Sequence, residues 1–102
     1  MDQKAAPEAV MNFALFLRKT KPGVKKIFLF GSYVKGTAHL NSDIDVAVVF
    51  DSLADPFDMQ VELMKARRKF DTRIEPHPLS EADFNLSNPL ANEIIRTGFE
   101  IK

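Results

Sequence analysis

The run Ile44-Asp45-Val46-Ala47-Val48-Val49-Phe50 constrains the fold more than any other segment. Its length is that of a strand, and its valines favour extended backbone. Apolar residues follow one another here instead of alternating, so the strand is expected to be buried on both faces apart from its carboxylates. A strand so enclosed needs other elements packed on it. A second run of the same kind, Lys25-Lys26-Ile27-Phe28-Leu29-Phe30, is stopped by Gly31-Ser32. Thr72 to Pro76 reads as a third, short strand and Phe99-Glu100-Ile101 as a fourth. Pro76 and Pro78 lack the amide hydrogen that a central ladder needs, so pairing either fades there or lies at an edge.

Helices fill the spaces between these strands. Pro7 suits a first helical turn, and Val10, Phe13, Ala14 and Leu17 form an apolar stripe that ends before Lys21-Pro22-Gly23. Residues 32 to 42 read as a helical turn and a polar loop. Asp55-Pro56 caps and begins a helix to about Phe70, on which Phe57, Val61 and Met64 share a face. Ser80 with Asp83 resembles another helix start. Asn88-Pro89 opens the last helix, through Leu90, Ile94 and Ile95, and Gly98 stands where a left-handed cap would close it. The order α-β-β-α-β-α-β predicts an α/β (α+β) domain, a small mixed sheet of about four strands with helices mainly on one face.

At 102 residues the chain is expected to be one domain spanning 1–102. Fourteen basic residues balance fourteen acidic ones, which argues against a long nucleic acid or an anionic membrane as partner. Without cysteine there is no disulfide, no thiolate zinc site and no cysteine nucleophile, and no apolar run reaches the length of a membrane span. The expected compartment is the cytoplasm. The basic clusters from Arg18 to Lys26 and from Lys65 to Arg73 read as cations closing helix C-terminal turns. His39 and His77, far apart in sequence, read as exposed loop residues and not as zinc ligands. The phenylalanines, nine in all, are assigned to the core, with some left over for an apolar patch.

Chemistry concentrates between Gly31 and Asp45. Asp43 and Asp45, two apart at the head of a strand, project from one face with Cα atoms roughly 6 to 7 Å apart. Aligned carboxylates suit hard cations, and two Mg²⁺ ions about 3.5 to 4 Å apart are a general solution for displacing a group from phosphorus. Gly31-Ser32 follows the neighbouring strand directly, where amide hydrogens and a hydroxyl can receive phosphate oxygens. Lys35 can add a compact positive charge. Glu75, opposite in facing to Ile74, is the candidate third carboxylate for the metals and for removing the proton of an attacking hydroxyl. Asp71 is the runner-up, on the same strand parity. Gly31, Gly36 and Thr37 echo part of a Walker loop, but no lysine precedes Thr37. Nothing around Ser32 resembles a nucleophile elbow.

The pattern Gly-Ser, ten residues, Asp-x-Asp resembles the signature of the DNA polymerase beta-like nucleotidyltransferases, and the short chain resembles their minimal nucleotidyltransferase (MNT) branch. The first helix, both motif strands, Arg73-Ile74-Glu75 and the closing Gly98-Phe99-Glu100-Ile101 fall in the order of that family. The resemblance implies Mg²⁺-dependent transfer of a nucleoside monophosphate, AMP from ATP or its counterpart from another NTP, to a hydroxyl. By position it makes Gly31 and Ser32 phosphate ligands, and Asp43, Asp45 and Glu75 metal ligands and catalytic carboxylates. Glu75 departs from the family pattern, where Asp is frequent, and reaches one methylene further. Stand-alone MNT proteins are often paired with HEPN proteins as antitoxin and toxin, so the resemblance also implies a HEPN-like partner as acceptor. The alternative is a binding subunit that neutralises such a partner by contact without catalysis. Whether the chain forms a homo-oligomer is left open by the sequence.

Overall fold

A computed structural model describes residues 7–38 and 42–102. Its elements are α1 (Glu8–Thr20), β1 (Val24–Phe30), α2 (Ser32–Lys35), β2 (Ile44–Phe50), α3 (Pro56–Ala66), β3 (Ile74–Ser80), α4 (Pro89–Thr97) and β4 (Phe99–Glu100). Single 3-10 turns follow α3 at Arg67–Lys69 and β3 at Glu81–Asp83. The four strands form one mixed sheet in the order β3-β2-β1-β4, with β2 parallel to β3 and antiparallel to β1, and β1 antiparallel to β4. His39, read above as a loop residue, lies outside the described residues.

Strand alternation divides the core into two layers. Ile44, Val46, Val48 and Phe50 of β2 join Ile27, Leu29 and Ile74 on one face, where α1 lays down Val10, Phe13, Ala14 and Leu17 and α3 contributes Leu63. The other face carries Phe28, Phe30, Ala47, Val49 and Leu79 beneath Ile94 of α4, with Phe84 and Leu90 at the margin. Each fully buried side chain of this size contributes about 1.5–3 kcal/mol. The expectation for β2 is met: all of it is buried except Asp45. Two helices pack on the first face, while α4 packs on the second.

Caps act where the sequence puts them. The Asp55 carboxylate accepts from the Asp58 amide at 3.1 Å, and the Asn88 side chain accepts from the Ala91 amide at 3.1 Å. On α3 the inner stripe is Met59, Leu63 and Ala66, continued by Phe70, so Phe57, Val61 and Met64 form the neighbouring stripe and Phe57 is 73% exposed. Ser80 receives the Asp83 amide, yet closes only a single 3-10 turn.

Two expectations are corrected. The third strand runs Ile74–Ser80, past both prolines, instead of ending at Pro76. It is an edge strand, and the Pro76 carbonyl accepts from the Gln60 amide on the side away from β2. Pro76 and Pro78 share that outward parity, so the hydrogens they lack are not ladder hydrogens. Gly98 is extended (φ −73°, ψ 159°), not left-handed. A glycine is needed there because a Cβ would come within 2.6 Å of the Ile94 carbonyl oxygen, the atom that accepts from the Gly98 amide at 2.7 Å.

Several cations of the basic clusters are engaged in the scaffold. Arg18 donates to the Ile101 carbonyl, Arg67 to those of Thr72 and Ile74, Lys21 pairs with Glu62, and Lys69 lies over the Phe16 ring. That agrees with a structural assignment for these cations.

Candidate active site at the head of the central strand

Parallel register places Asp45 directly beside Glu75, as Ile44 lies beside Ile74. The two isoleucines enter the layer under α1 and α3, so both carboxylates face the other way, on strands about 4.8 Å apart. Asp43 lies just ahead of β2 and is exposed, so strand pleating does not fix its direction. Neither Asp43 nor Glu75 hydrogen-bonds to or pairs with a side chain among the described residues.

Gly31 follows β1 against Asp45, beside Phe30, which is in register with Asp45. Its φ of +79° is a left-handed value, and a Cβ there would collide with Asp45 Oδ2. By position in the family pattern this glycine is a phosphate ligand. The structure adds a second reason for it, the close packing of an aspartate carboxylate. Ser32 then opens α2, whose Val34 and Lys35 amides donate back to the Gly31 carbonyl at 3.1 Å.

The other carboxylate oxygen of Asp45 meets His77. Nε2 lies 3.1 Å from Oδ1, and since a carboxylate only accepts, the imidazole is the donor. His77 is therefore a strand residue, half-buried beside an aspartate, not an exposed loop residue. Its position two residues beyond Glu75, on the same parity, was the signal available in the sequence.

Lys35, at the end of α2, pairs with α4, its Nζ lying 3.3 Å from Glu93 Oε2. Asp71, the runner-up carboxylate, is occupied elsewhere: its oxygens accept from Nε and Nη2 of Arg73 at 3.2 and 2.9 Å, and from the Arg73 amide at 2.9 Å. Those hydrogen bonds hold its carboxyl below the usual carboxylate range and raise the Arg73 guanidinium above its own. Arg73 also reaches the Tyr33 hydroxyl of α2 at 3.1 Å.

Asp45 and Glu75 are hard oxygen donors at one end of one sheet face, with Asp43 just ahead of β2, and such carboxylates are the donor chemistry a magnesium ion takes. Among the described residues no three acidic or histidine side chains are already drawn into a metal-holding group, so a cation would have to gather them. Their chemistry fits the ion, and Asp45 already has its orientation.

Residues 10–93 match the family model described as "Nucleotidyltransferase domain". The chain is similar to the protein adenylyltransferase MntA of Shewanella oneidensis, with 32% identity over 85 residues that cover 83% of this chain and 58% of that protein. It thus spans less than two thirds of the length of that curated relative. One similar solved structure is that of a toxin–antitoxin with AMP-PNP (TM-score 0.60, 28% identity, 88% of this chain and 70% of that chain). Another is the toxin–antitoxin MntA–HepT (TM-score 0.56, 21% identity, 92% and 70%), a likeness of fold alone.

Proposed function

Because the chain belongs to the nucleotidyltransferase domain family, we propose that it transfers AMP from ATP to a hydroxyl on a partner protein, releasing pyrophosphate. The observation that carries this reading is the register pair Asp45–Glu75, whose Asp45 packs against Gly31 of the Gly31-Ser32 turn. A carboxylate pair beside a turn that can take phosphate is the minimum needed to bring a triphosphate and its cations together. Asp43, Asp45 and Glu75 would hold Mg²⁺, two ions in the full arrangement. Bound there, the cations supply charge stabilisation to the attacking and leaving oxygens. Gly31 and Ser32 receive phosphate oxygens, and Lys35 turns from Glu93 to the triphosphate. Glu75, nearest the open edge of the sheet, accepts the proton of the attacking hydroxyl. That oxygen bonds to the α-phosphorus as the bond to the bridging oxygen of pyrophosphate breaks.

A protein acceptor is supported by the adenylyltransferase and toxin–antitoxin relatives, and a HEPN-like partner is what the family resemblance implies. Balanced charge argues against a long nucleic acid. A reaction that uses ATP and Mg²⁺ fits a cytoplasmic location. The test is to incubate the protein with radiolabelled ATP and Mg²⁺, alone and with the protein encoded beside it, and to follow label on protein and on added RNA. Label on the partner that vanishes with Asp43→Ala is expected. Rapid labelling of RNA by the isolated chain overturns the proposed acceptor, and a partner neutralised equally by wild type and Asp43→Ala without label favours the contact-only subunit.

A further inference from the structure

His77 stands outside the residues assigned above, yet it makes the only hydrogen bond from a described side chain to the Asp45 carboxylate. Three features fix its ring. β3 sets it on the carboxylate face, opposite Ala47, whose single methyl leaves room for an imidazole beside β2. Phe30 of β1 meets the ring edge-on, with centroids 5.2 Å apart and planes at 62°. Nε2 is thereby directed at Asp45 Oδ1 while the Gly31 backbone closes on Oδ2.

We propose that His77 is a positioning residue for the cation site: its Nε2–H fixes the Asp45 carboxylate before any ion arrives. This rests on the reading of Asp45 as a metal ligand. The physical argument is one of order. A free aspartate at a strand end turns about two torsions, and an ion that binds it must stop that motion. Here folding has already stopped it, with Phe30 holding His77 and His77 holding Asp45. Carboxylate ligands are commonly oriented by such outer hydrogen bonds, and their loss typically costs 10–100-fold in metal affinity. Asp43 and Glu75 have no comparable tether among the described residues, which makes Asp45 the fixed point toward which an ion draws the other two.

Two substitutions separate the donor from the packing. His77→Phe keeps an aromatic ring against Phe30 and loses the proton donor, whereas His77→Gln keeps an amide donor and loses the ring. The measurement is Mn²⁺ affinity of the full chain, titrated by electron paramagnetic resonance with the metal alone at constant pH, beside thermal melting of each variant. The expected result is a 10–100-fold weaker Mn²⁺ affinity for His77→Phe with an almost unchanged melting temperature, and affinity largely restored in His77→Gln. Asp45→Asn serves as the reference and should lose binding outright. Wild-type affinity in His77→Phe, with Asp45→Asn inactive in binding, overturns the role of His77 and leaves the site reading standing. Mn²⁺ binding that Asp45→Asn does not alter, or none in the wild type, removes the site reading and this inference with it.

Discussion

The two faces of β2 use one stretch of backbone in opposite ways. Toward α1 and α3 it presents Ile44, Val46, Val48 and Phe50, all shut away from water. Toward α4 it presents Asp45, Ala47 and Val49, and only the last two are buried. The cover on this second face stops short: α4 packs over Ala47 and Val49, and the end that holds Asp45, Glu75 and His77 stays accessible. Chemistry can be put where the cover of a sheet face ends. A carboxylate is tolerated one residue away from a fully buried isoleucine because alternation turns it to the face on which the helix layer ends.

Exchanging the characters of neighbouring residues should have the largest effect. Val46→Asp should leave the chain largely unfolded, because an unpaired charge under α1 and α3 costs several kcal/mol, a large share of the stability of a domain this size. Asp45→Asn, one position away, should melt near the wild-type temperature and lose transfer by about 10³-fold or more, since each 1.36 kcal/mol of lost transition-state stabilisation is a factor of ten. Circular dichroism and labelled-ATP transfer on the two proteins read both effects. Comparable melting of the two variants would mean that the faces are not divided as described.

Glu75→Gln sharpens the same contrast within the open face. The charge-neutral amide keeps the shape of the side chain but can neither accept a proton nor hold a cation as a carboxylate does. Turnover should fall by about 10²-fold, the scale of general base catalysis, while nucleotide affinity changes little. Full activity in Glu75→Gln would show that the third carboxylate lies elsewhere.

Much of this division is legible in the sequence because it depends on local rules. The unbroken apolar run of β2 and the caps Asp55 and Asn88 each have a physical meaning within a few residues, and the spacing between Gly31-Ser32 and Asp43-Ile44-Asp45 is legible through the family it resembles. What escapes is what depends on partners distant in the chain. The length of β3 could not be read because two prolines are disruptive or harmless according to which edge they face, and that is set by β2 and by Gln60 of α3. The inner stripe of α3 escaped because two apolar stripes run along that helix, and only docking on the sheet selects Leu63 over Phe57. His77 escaped for the same reason, its neighbour being 32 residues away.

Gly31→Ala probes where β1 meets the open face. Holding a non-glycine residue at this backbone conformation costs about 1–3 kcal/mol, and each kcal/mol lowers the melting temperature of a domain this small by about 4–8 °C. The added methyl must also displace the Asp45 carboxylate. Stability and transfer should therefore fall together, and Mn²⁺ affinity with them. A variant that melts lower yet transfers AMP at the wild-type rate would show that the close packing of Gly31 on Asp45 serves the fold alone.

The smallest effect is expected at Asp71, on the border between the two uses. Arg73 holds its carboxyl below the usual range, so the folded state binds this proton less readily than the unfolded chain. A depressed carboxylate contributes stability above its unfolded pKa, near 4, and loses it as pH falls through the lower folded value. Asp71→Asn removes the charge on which that contribution depends while leaving a side-chain oxygen to accept from the Arg73 amide. The variant should thus melt slightly lower than wild type at neutral pH, and the gap should close as pH falls below about 4. Transfer should be unchanged throughout, since the Asp71 oxygens are already committed to Arg73. A melting gap that stays constant into acid would deny the ion pair its part. A loss of transfer in Asp71→Asn with Glu75→Gln active would move the third carboxylate from the strand to the turn that precedes it, and the open face would then begin one turn earlier than the register of β3 implies.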